Sequence, residues 1–332
     1  MANEEKVLVV NENKFVIAAT IIPFSIAGVL IRIALSRLET YSGAPVFSLV
    51  YAQWIGCFIM GVVMTNKTLL FQCTRFDIKR YYPLHGGLSS GLCGSITTFS
   101  SWQLGIFKEF ANYNANPHTS GKNVLAAISV FLVTLSMSQQ ALLFGQHIGK
   151  MYKRTDIPEV KVAPQGFTSK YLSMKDYLVI SFGMLCWIGV VFAAVFGKSQ
   201  KELTLACVFA PAGALLRWVL SFYNSSLYSL FFVGTFTANI LGTIILAALS
   251  LLQSGAIIMT PIKCYVLQAL ADGFCGCLTT ISTFMVELNA LPLVNSYIYG
   301  ISSVVVAQCF MFVILGSYIW TQGVHPSAIC VS

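Results

Sequence analysis

Apolar residues along this chain fall into nine long stretches separated by short polar segments. A charge-poor stretch of about 20 apolar residues is long enough to cross a hydrocarbon core of about 30 Å as a helix. Helices are predicted near residues 16–36, 46–65, 83–107, 123–146, 177–197, 203–221, 229–252, 264–288 and 297–320. Because unpaired backbone groups are costly in lipid, the pattern predicts an all-α membrane protein with nine transmembrane helices.

The composition supports a membrane protein and excludes several other classes. Of 332 residues, 56% are hydrophobic and 10% are charged, whereas roughly a quarter are charged in ordinary soluble proteins. The net charge of +8 arises from basic residues beside apolar stretches, where they set orientation rather than bind nucleic acid. Seven of the cysteines lie within apolar stretches and no C-x-x-C pair occurs, so free thiols are expected. The four histidines lack the spacing of a zinc site.

Basic residues are distributed unequally between the two predicted sides of the membrane. The side of the N-terminus has Lys6, Lys14, Lys67, Arg75, Lys79, Arg80, Lys150, Lys153, Arg154, Lys161, Lys170 and Lys175. The opposite side has Arg37, Lys108, Lys122, Lys198, Lys201 and Lys263. The positive-inside rule therefore predicts a cytoplasmic N-terminus and, after nine crossings, an extracellular C-terminus. The Asn-x-Ser/Thr sequences at Asn66 and Asn224 would then face the cytoplasm and stay unmodified.

The same sparse landmarks occur twice along the chain, in the same order. The corresponding segments are GVLIR with Arg32 and GALLR with Arg217, Gln53–Gly56 and Asn239–Gly242, and GLCGSITTFSSW from Gly91 and GFCGCLTTISTF from Gly273. Each repeat contains four predicted helices, and the helix near 177–197 is left over. Because a four-helix unit begins and ends on one side of the membrane, this extra crossing would invert the second repeat.

The repeats define the expected domains. Residues 1–148 form an N-terminal four-helix domain, and residues 201–332 form a C-terminal one. Residues 149–200 contain a basic loop followed by the linker helix, and Pro158 and Pro164 oppose a helix within that loop. Inverted repeats of this kind typically place a site at their interface near the membrane midplane.

The third predicted helix of each repeat is rich in glycine, serine and threonine, where a simple anchor would have leucine and valine. One explanation is close packing between helices, for which small residues are usual. The other explanation, which the duplication favours, is a helix broken at its Gly-Thr-Thr segment. The freed backbone carbonyls would then bind an ion, a polar group or water.

This duplicated G-x-C-G-x-x-T-T-x-S-x-x motif resembles that of the Fluc fluoride channels, and the fused nine-helix layout resembles their eukaryotic exporter form. G-x-x-x-R on the first helix, T-x-x-x-N-x-x-G on the second (Thr235, Asn239 and Gly242) and the Gly-Thr-Thr segment on the third occur in the family's order. The resemblance implies a passive fluoride-selective channel, not an enzyme. It would export fluoride across the plasma membrane and function as a single chain in the bilayer.

The resemblance also implies a structural sodium ion between the two domains. Its ligands would be the backbone carbonyls of Gly94, Thr97, Gly276 and Thr279. Carbonyl oxygens suit a hard cation, and neutral ligands need no side-chain charge inside the bilayer.

A fluoride pathway is implied by the same resemblance. It would be lined by Phe99, Phe284, Asn239, Thr235, Glu287 and the hydroxyls of Tyr299 and Ser303. The positive edge of a phenyl ring can face an anion, and an amide or hydroxyl can donate a hydrogen bond to it. Arg32 and Arg217 are expected in a vestibule or at the domain interface, because a buried arginine needs water or a partner.

The two repeats differ at the positions that would line a second pathway. Phe99 aligns with Ile281, Phe284 with Trp102 and Asn239 with Gln53, whose longer side chain would obstruct a narrow path. Glu287 aligns with Gly105. An alignment on Gly145 and Gly316 places Ile128 and Leu132 of the fourth helix opposite Tyr299 and Ser303, without hydroxyls. One conducting pathway and one degenerate pathway, lined by Gln53, Ile281 and Trp102, are therefore expected.

Two other function classes are alternatives to a channel. A secondary transporter of a small metabolite also uses inverted repeats with broken helices. It would need coupling groups within the helices, but the carboxylates there, Asp272, Glu287 and Glu109, form no evident pair. A membrane enzyme would need a nucleophile and base or metal ligands converging on one pocket, and scattered histidines disfavour it.

Overall fold

The computed structural model describes residues 13–41, 43–65, 82–113, 119, 121–152, 172–197, 200–224, 230–256 and 260–323. Every regular element in these ranges is helical. The α-helices are α1 (Lys14–Glu39), α2 (Val50–Thr65), α3 (Tyr82–Gly86), α4 (Gly94–Ile96), α5 (Phe99–Phe110), α6 (Lys122–Met151), α7 (Met174–Phe196), α8 (Lys201–Ser221), α9 (Val233–Leu251), α10 (Pro261–Ala269), α11 (Gly276–Leu278), α12 (Ser282–Ala290), α13 (Leu293–Met311) and α14 (Ser317–Gln322).

Seven helical segments of the described chain are long and apolar enough to cross a membrane, and α2 is a shorter apolar helix. This confirms an all-α membrane protein. Local sequence explains where several helices begin. The Asn13 side chain accepts a hydrogen bond from the Phe15 N–H at the start of α1, and Ser173 with Asp176 forms a capping box before α7. Pro261 begins α10, where its missing N–H costs nothing.

Helix α7, which belongs to neither repeat, lies at the periphery. Among the described residues of α7, only Gly183 is buried. A Cβ on Gly183 would lie 2.4 Å from the Ala19 carbonyl oxygen of α1. The glycine therefore permits close contact with α1. Most of the other α7 side chains are exposed and apolar, as expected of a helix that faces lipid.

Helices α1 and α8, the first helices of the two repeats, pack against each other in antiparallel directions. The Lys14 ammonium at the start of α1 lies 4.6 Å from the centroid of the Phe222 ring after the end of α8. At the other end, Arg37 Nη1 donates to Gln200 Oε1 at 3.1 Å, and Arg37 Nη2 lies 3.9 Å from Glu202 Oε2. The first helices of the two repeats thus run in opposite directions.

Several predicted features lie outside the described residues. They include 153–171 of the predicted basic loop, both chain termini, and the basic residues Lys6, Lys67, Arg75, Lys79, Arg80, Lys153, Arg154, Lys161, Lys170 and Lys198. The orientation in the membrane therefore stays a prediction. The expected free thiols are confirmed for Cys57, Cys93, Cys186, Cys207, Cys275, Cys277 and Cys309.

Candidate ion pathway

Both third helices are interrupted at the threonine pairs that the sequence predicted. In the first repeat α4 ends at Ile96, and Thr97 (φ −91°, ψ 150°) and Thr98 (φ −145°, ψ 128°) are extended before α5 begins at Phe99. In the second repeat Thr279 (φ −97°, ψ 153°) is extended after α11. Extended residues cannot continue the helical hydrogen bonding, so backbone groups are released in the interior of the protein.

Two side-chain amides satisfy part of this released backbone. Gln53 Nε2 donates to the Thr98 carbonyl oxygen at 2.6 Å, and the Thr98 N–H donates to Gln53 Oε1 at 3.2 Å. Asn239 makes the same pair of bonds with Thr280, at 3.3 Å and 2.9 Å. Gln53 and Asn239, which aligned in the two repeats, therefore hold their breaks in the same way despite the difference in side-chain length.

Threonine hydroxyls join the two breaks to each other. The Thr97 and Thr280 hydroxyl oxygens are 3.0 Å apart, and the Ser282 N–H donates to Thr97 Oγ1 at 3.1 Å. The same two contacts recur with the repeats exchanged, between Thr279 and Thr98 at 3.0 Å and between Thr279 and the Ser100 N–H at 3.1 Å. Such reciprocal contacts are those of a two-fold interface.

Arg32 crosses from the first repeat to the break of the second. Its side chain is buried, with 2% of the residue exposed. Nη1 donates to the carbonyls of Ser95 at 2.6 Å and Gly276 at 2.7 Å, and Nη2 donates to the Asp272 carbonyl. The guanidinium thus connects the third helices of both repeats.

Arg217 makes the equivalent connection in the opposite direction. Nε donates to the Cys277 carbonyl at 2.9 Å and Nη2 to the Ser90 carbonyl at 2.7 Å. A Cβ on Gly94 would lie 2.2 Å from Arg217 Nη1, so a side chain there would displace the guanidinium from its present position. Both arginines lie at the interface between the repeats.

The predicted sodium ligands fit a cation unequally. The extended conformations of Thr97 and Thr279 turn their carbonyls out of helical hydrogen bonding, which suits a hard cation. The Gly276 carbonyl instead accepts a hydrogen bond from Arg32, and the Arg217 guanidinium lies against Gly94. The two threonine carbonyls are the better candidates of the four.

The predicted aromatic residues of the pathway come together. The Phe99 and Phe284 ring centroids lie 5.5 Å apart at an interplanar angle of 71°. Tyr299 lies 5.3 Å from Phe284. Trp102 meets Phe99 edge-on at 5.6 Å but stacks on Phe131 of α6, so it belongs to the packing of the first repeat. Ile281 is buried in the same apolar cluster.

Glu287 accepts hydrogen bonds from three neutral donors. Thr235 Oγ1 donates at 2.5 Å, Asn224 Nδ2 at 3.1 Å and Tyr299 Oη at 2.7 Å. The residue is 4% exposed. Asn224 also accepts from the Thr235 N–H at 3.0 Å, so Asn224, Thr235, Tyr299 and Glu287 form one hydrogen-bonded group.

The corresponding place in the first repeat is filled by an aromatic ring. Gly105 aligns with Glu287, and a Cβ on Gly105 would lie 2.6 Å from Cζ of Phe47. Phe47 therefore occupies the space that a side chain at position 105 would need. The position that carries the Glu287 carboxylate in the second repeat is thus filled by the Phe47 ring in the first.

The last helix of each repeat carries buried hydroxyls. Ser303 Oγ donates to the Tyr299 carbonyl at 2.7 Å, within its own helix. Ile128 and Leu132, aligned with these residues from the sequence, are 45% and 51% exposed, whereas the hydroxyls of Thr134 and Ser138 are buried. A π-helical segment, Phe312–Gly316, separates Gly316 from Ser303. A π-helical turn shifts a register counted back from Gly316 by only about one residue, so it does not account for the difference between Ile128 and Thr134.

Two cavities lie beside the arginine helices. One of about 500 Å³ is lined by charged residues that include Arg32, Arg37, Lys108, Glu202 and Asp272. The other, of about 340 Å³, is lined by Lys14, His85 and Trp218, among others. Charged side chains thus line the first cavity, whereas the lining of the second is mostly apolar.

Sequence reasoning missed Asn224 and Phe47. Both precede the second helix of their repeat, on connecting segments whose folding back onto α12 or α5 no helical periodicity reveals. The alignment of Gly105 with Glu287 was the available indication that something else fills the first repeat.

Comparison with known proteins assigns both repeats to one family model. The model described as CrcB-like protein, Camphor Resistance (CrcB), matches residues 19–145 and 204–317. The chain is 33% identical to Fluoride export protein 1 of Candida albicans over 313 residues, covering 90% of this chain and 79% of the relative. It is 28% identical to Fluoride export protein 1 of Saccharomyces cerevisiae, covering 92% and 93%.

A shorter match links the chain to a bacterial protein. It is 43% identical over 79 residues to the Fluoride-specific ion channel FluC of Proteus mirabilis, covering 24% of this chain and 61% of the relative. No solved structure matches the chain.

The hydroxyl contacts between the breaks predict a selective effect on stability. Thr97→Val should destabilise the protein by about 1–3 kcal/mol, because it leaves the buried Ser282 N–H without its acceptor. Thr134→Val is the matched control, since the buried Thr134 hydroxyl makes no hydrogen bond with the described residues. Thermal unfolding followed by size-exclusion chromatography in detergent measures both. Equal losses of stability would show that the interface does not depend on the threonine hydroxyl.

Proposed function

This chain belongs to the CrcB-like protein family, and on that premise we propose that it is a passive, fluoride-selective channel that exports fluoride from the cytoplasm. The observation that carries the proposal is the pair of interrupted helices, joined through Thr97 and Thr279, beside the paired rings of Phe99 and Phe284. The relatives that match most of the chain are named fluoride export proteins, which supports fluoride as the substrate.

We propose that the architecture is two inverted four-helix repeats joined by the linker helix α7, nine transmembrane helices in all. Three observations support it: the antiparallel packing of α1 and α8, the reciprocal contacts between the breaks, and the two matches to the family model. The domains would be residues 1–148 and 201–332. Because each repeat supplies the partner of the other, one chain suffices.

Fluoride would pass between α5 of the first repeat and α9, α12 and α13 of the second. A desolvated fluoride needs hydrogen-bond donors or the positive edges of rings to replace its water. At one depth of the path, the anion would contact the ring edges of Phe99 and Phe284 and the amide of Asn239. Ser303 lies on the facing helix, α13. Glu287 would hold the hydroxyls of Thr235 and Tyr299 in place.

The arrangement of carboxylates favours a channel over a coupled transporter. Asp272 accepts a hydrogen bond from Gln268 at 2.8 Å and lines the charged cavity, whereas Glu287 belongs to the separate group with Tyr299. The two therefore form no relay. An inside-negative plasma membrane would drive fluoride outward, by about 2.3 kcal/mol per charge for each 100 mV. The N-terminus would be cytoplasmic and the C-terminus extracellular.

A structural sodium ion between the repeats is part of the proposal. The carbonyls of Thr97 and Thr279 would be its principal ligands, with Gly94, while Gly276 is shared with Arg32. Bound there, the ion would supply fixed positive charge next to released backbone carbonyls.

Passive conduction predicts fluoride efflux from liposomes that contain the purified protein. Efflux should begin when valinomycin supplies a compensating potassium path, because the channel carries net charge, and chloride efflux should stay at the level of protein-free liposomes. A fluoride electrode and a chloride electrode measure the two. Electroneutral efflux that requires a proton gradient would contradict the channel and favour a transporter.

A single pathway predicts unequal effects at the aligned positions after the two breaks. Phe99→Ile, which gives the proposed path the residue of the degenerate one, should lower fluoride efflux about tenfold or more, because an edge that faces the anion is lost. Ile281→Leu conserves volume at the equivalent position and should leave efflux within about twofold. Equal losses in well-folded variants would mean that both pathways conduct.

The sodium site predicts cation-specific stability. The unfolding temperature should be a few degrees higher in sodium than in potassium or N-methylglucamine at equal ionic strength, because a ligand that binds only the folded state stabilises it. Thermal unfolding in the three chlorides, without fluoride, measures the difference. Identical temperatures would indicate that the arginines hold the interface without a bound ion.

A further inference from the structure

Helix α5 of the first repeat lies in a groove of the second repeat. At its start Phe99 packs in one cluster with Ile240 of α9 and Tyr299 of α13. Two turns later, Phe107 packs with Leu246 of α9 and residues of α13. The residue between these two levels, on the same face of α5, is Gln103.

Gln103 is fully buried, with 0% of the residue exposed. Gln308 Nε2, from α13, donates to the Gln103 backbone carbonyl at 2.9 Å and to Gln103 Oε1 at 2.8 Å. This contact fixes the side chain by its oxygen and leaves its NH₂ group unused by Gln308. Among the described residues, none accepts a hydrogen bond from Gln103 Nε2.

A buried NH₂ group without an acceptor is costly, since desolvating an unpaired donor loses about 1–3 kcal/mol. At the equivalent position of the second repeat stands Met285, which is buried without any polar group. The amide is therefore present along the proposed path and absent from the degenerate one, as is Glu287, whose counterpart is Gly105.

We propose that the NH₂ group of Gln103 forms a fluoride-binding site one helical turn beyond Phe99, with Gln308 as the residue that positions it; this inference rests on the proposed channel function. An amide donor replaces lost water around the anion without adding a charge that would retain it. Fluoride that has passed Phe99, Phe284 and Asn239 would bind next at Gln103.

The competing explanation is a buried water that bridges Gln103 Nε2 and Gln308 Oε1, which is also buried and unpaired among the described residues. Such a water would stabilise the fold and have no part in transport. The two explanations differ in what the loss of the amide changes: fluoride flux in the first, stability alone in the second.

The test is fluoride efflux per folded channel, measured in liposomes over a range of fluoride concentrations, for wild type, Gln103→Met and Gln139→Met. Gln103→Met introduces the residue of the degenerate path and should lower the rate about tenfold or more, the effect expected from losing a hydrogen bond to an anion. Gln139→Met is the control, because it makes the same substitution at an amide that already pairs with Asn289, so its loss should leave efflux unchanged.

Gln103→Glu covers the case in which Gln103→Met does not fold. It keeps the shape and the acceptor for Gln308 but replaces the NH₂ group by an oxygen. At alkaline pH, where the carboxylate is ionised, efflux should fall at least as far. Folded variants with wild-type efflux per channel, whatever their unfolding temperature, would overturn the proposal. Wild-type protein without fluoride efflux would instead contradict the channel function itself.

Discussion

The structure depends on how backbone groups are satisfied where two helices are interrupted in a region without water. Each break releases N–H and C=O groups that lipid cannot pair, and such groups persist at membrane depth only when protein or an enclosed polar site satisfies them. Here both repeats contribute: Gln53 and Asn239 pair the break of their own repeat, and the arginines and threonines also reach the other one. Arg32 reaches the carbonyls of Gly276 and Asp272, and Arg217 reaches the carbonyl of Ser90. Neither break is complete within its own four-helix unit.

This reciprocity explains several features of sequence that would otherwise be unconnected. A guanidinium can approach a break only where the facing residue lacks a Cβ, which accounts for Gly94 opposite Arg217 and Gly276 opposite Arg32. Threonines at Thr97 and Thr279 accept backbone N–H groups of the opposite repeat. The two buried guanidinium groups also contribute positive charge to the centre, and Arg32 already occupies the carbonyl of Gly276, one of the four predicted ion ligands.

Sequence alone could predict the helices, the breaks and the paired aromatic rings, because these follow from hydrophobic length and from motifs written twice. Their positions relative to one another were harder. Asn224 and Phe47 reach the site from segments between helices, and no periodicity fixes where such segments fold. Thr134 and Ser138 escaped notice because an alignment of the last helices on Gly145 and Gly316 places Ile128 and Leu132 opposite Tyr299 and Ser303. Gln103 followed the motif directly, yet only the hydrogen bonds of the folded chain distinguish a paired amide such as that of Gln53 from an available one.

The breaks also explain how the proposed pathway and the degenerate one could come to differ in their polar side chains. Gln53 and Asn239 make the same bonds to their breaks, and the threonine contacts are alike in both directions, so the shared centre tolerates little change. One turn away, the backbone is helical again, and the side chains are constrained mainly by packing and transport. It is there that Gln103 differs from Met285 and Glu287 from Gly105. An apolar side chain at such a level removes a cost of desolvation without disturbing the breaks, so one path can lose its polar groups while the interface keeps both repeats in place.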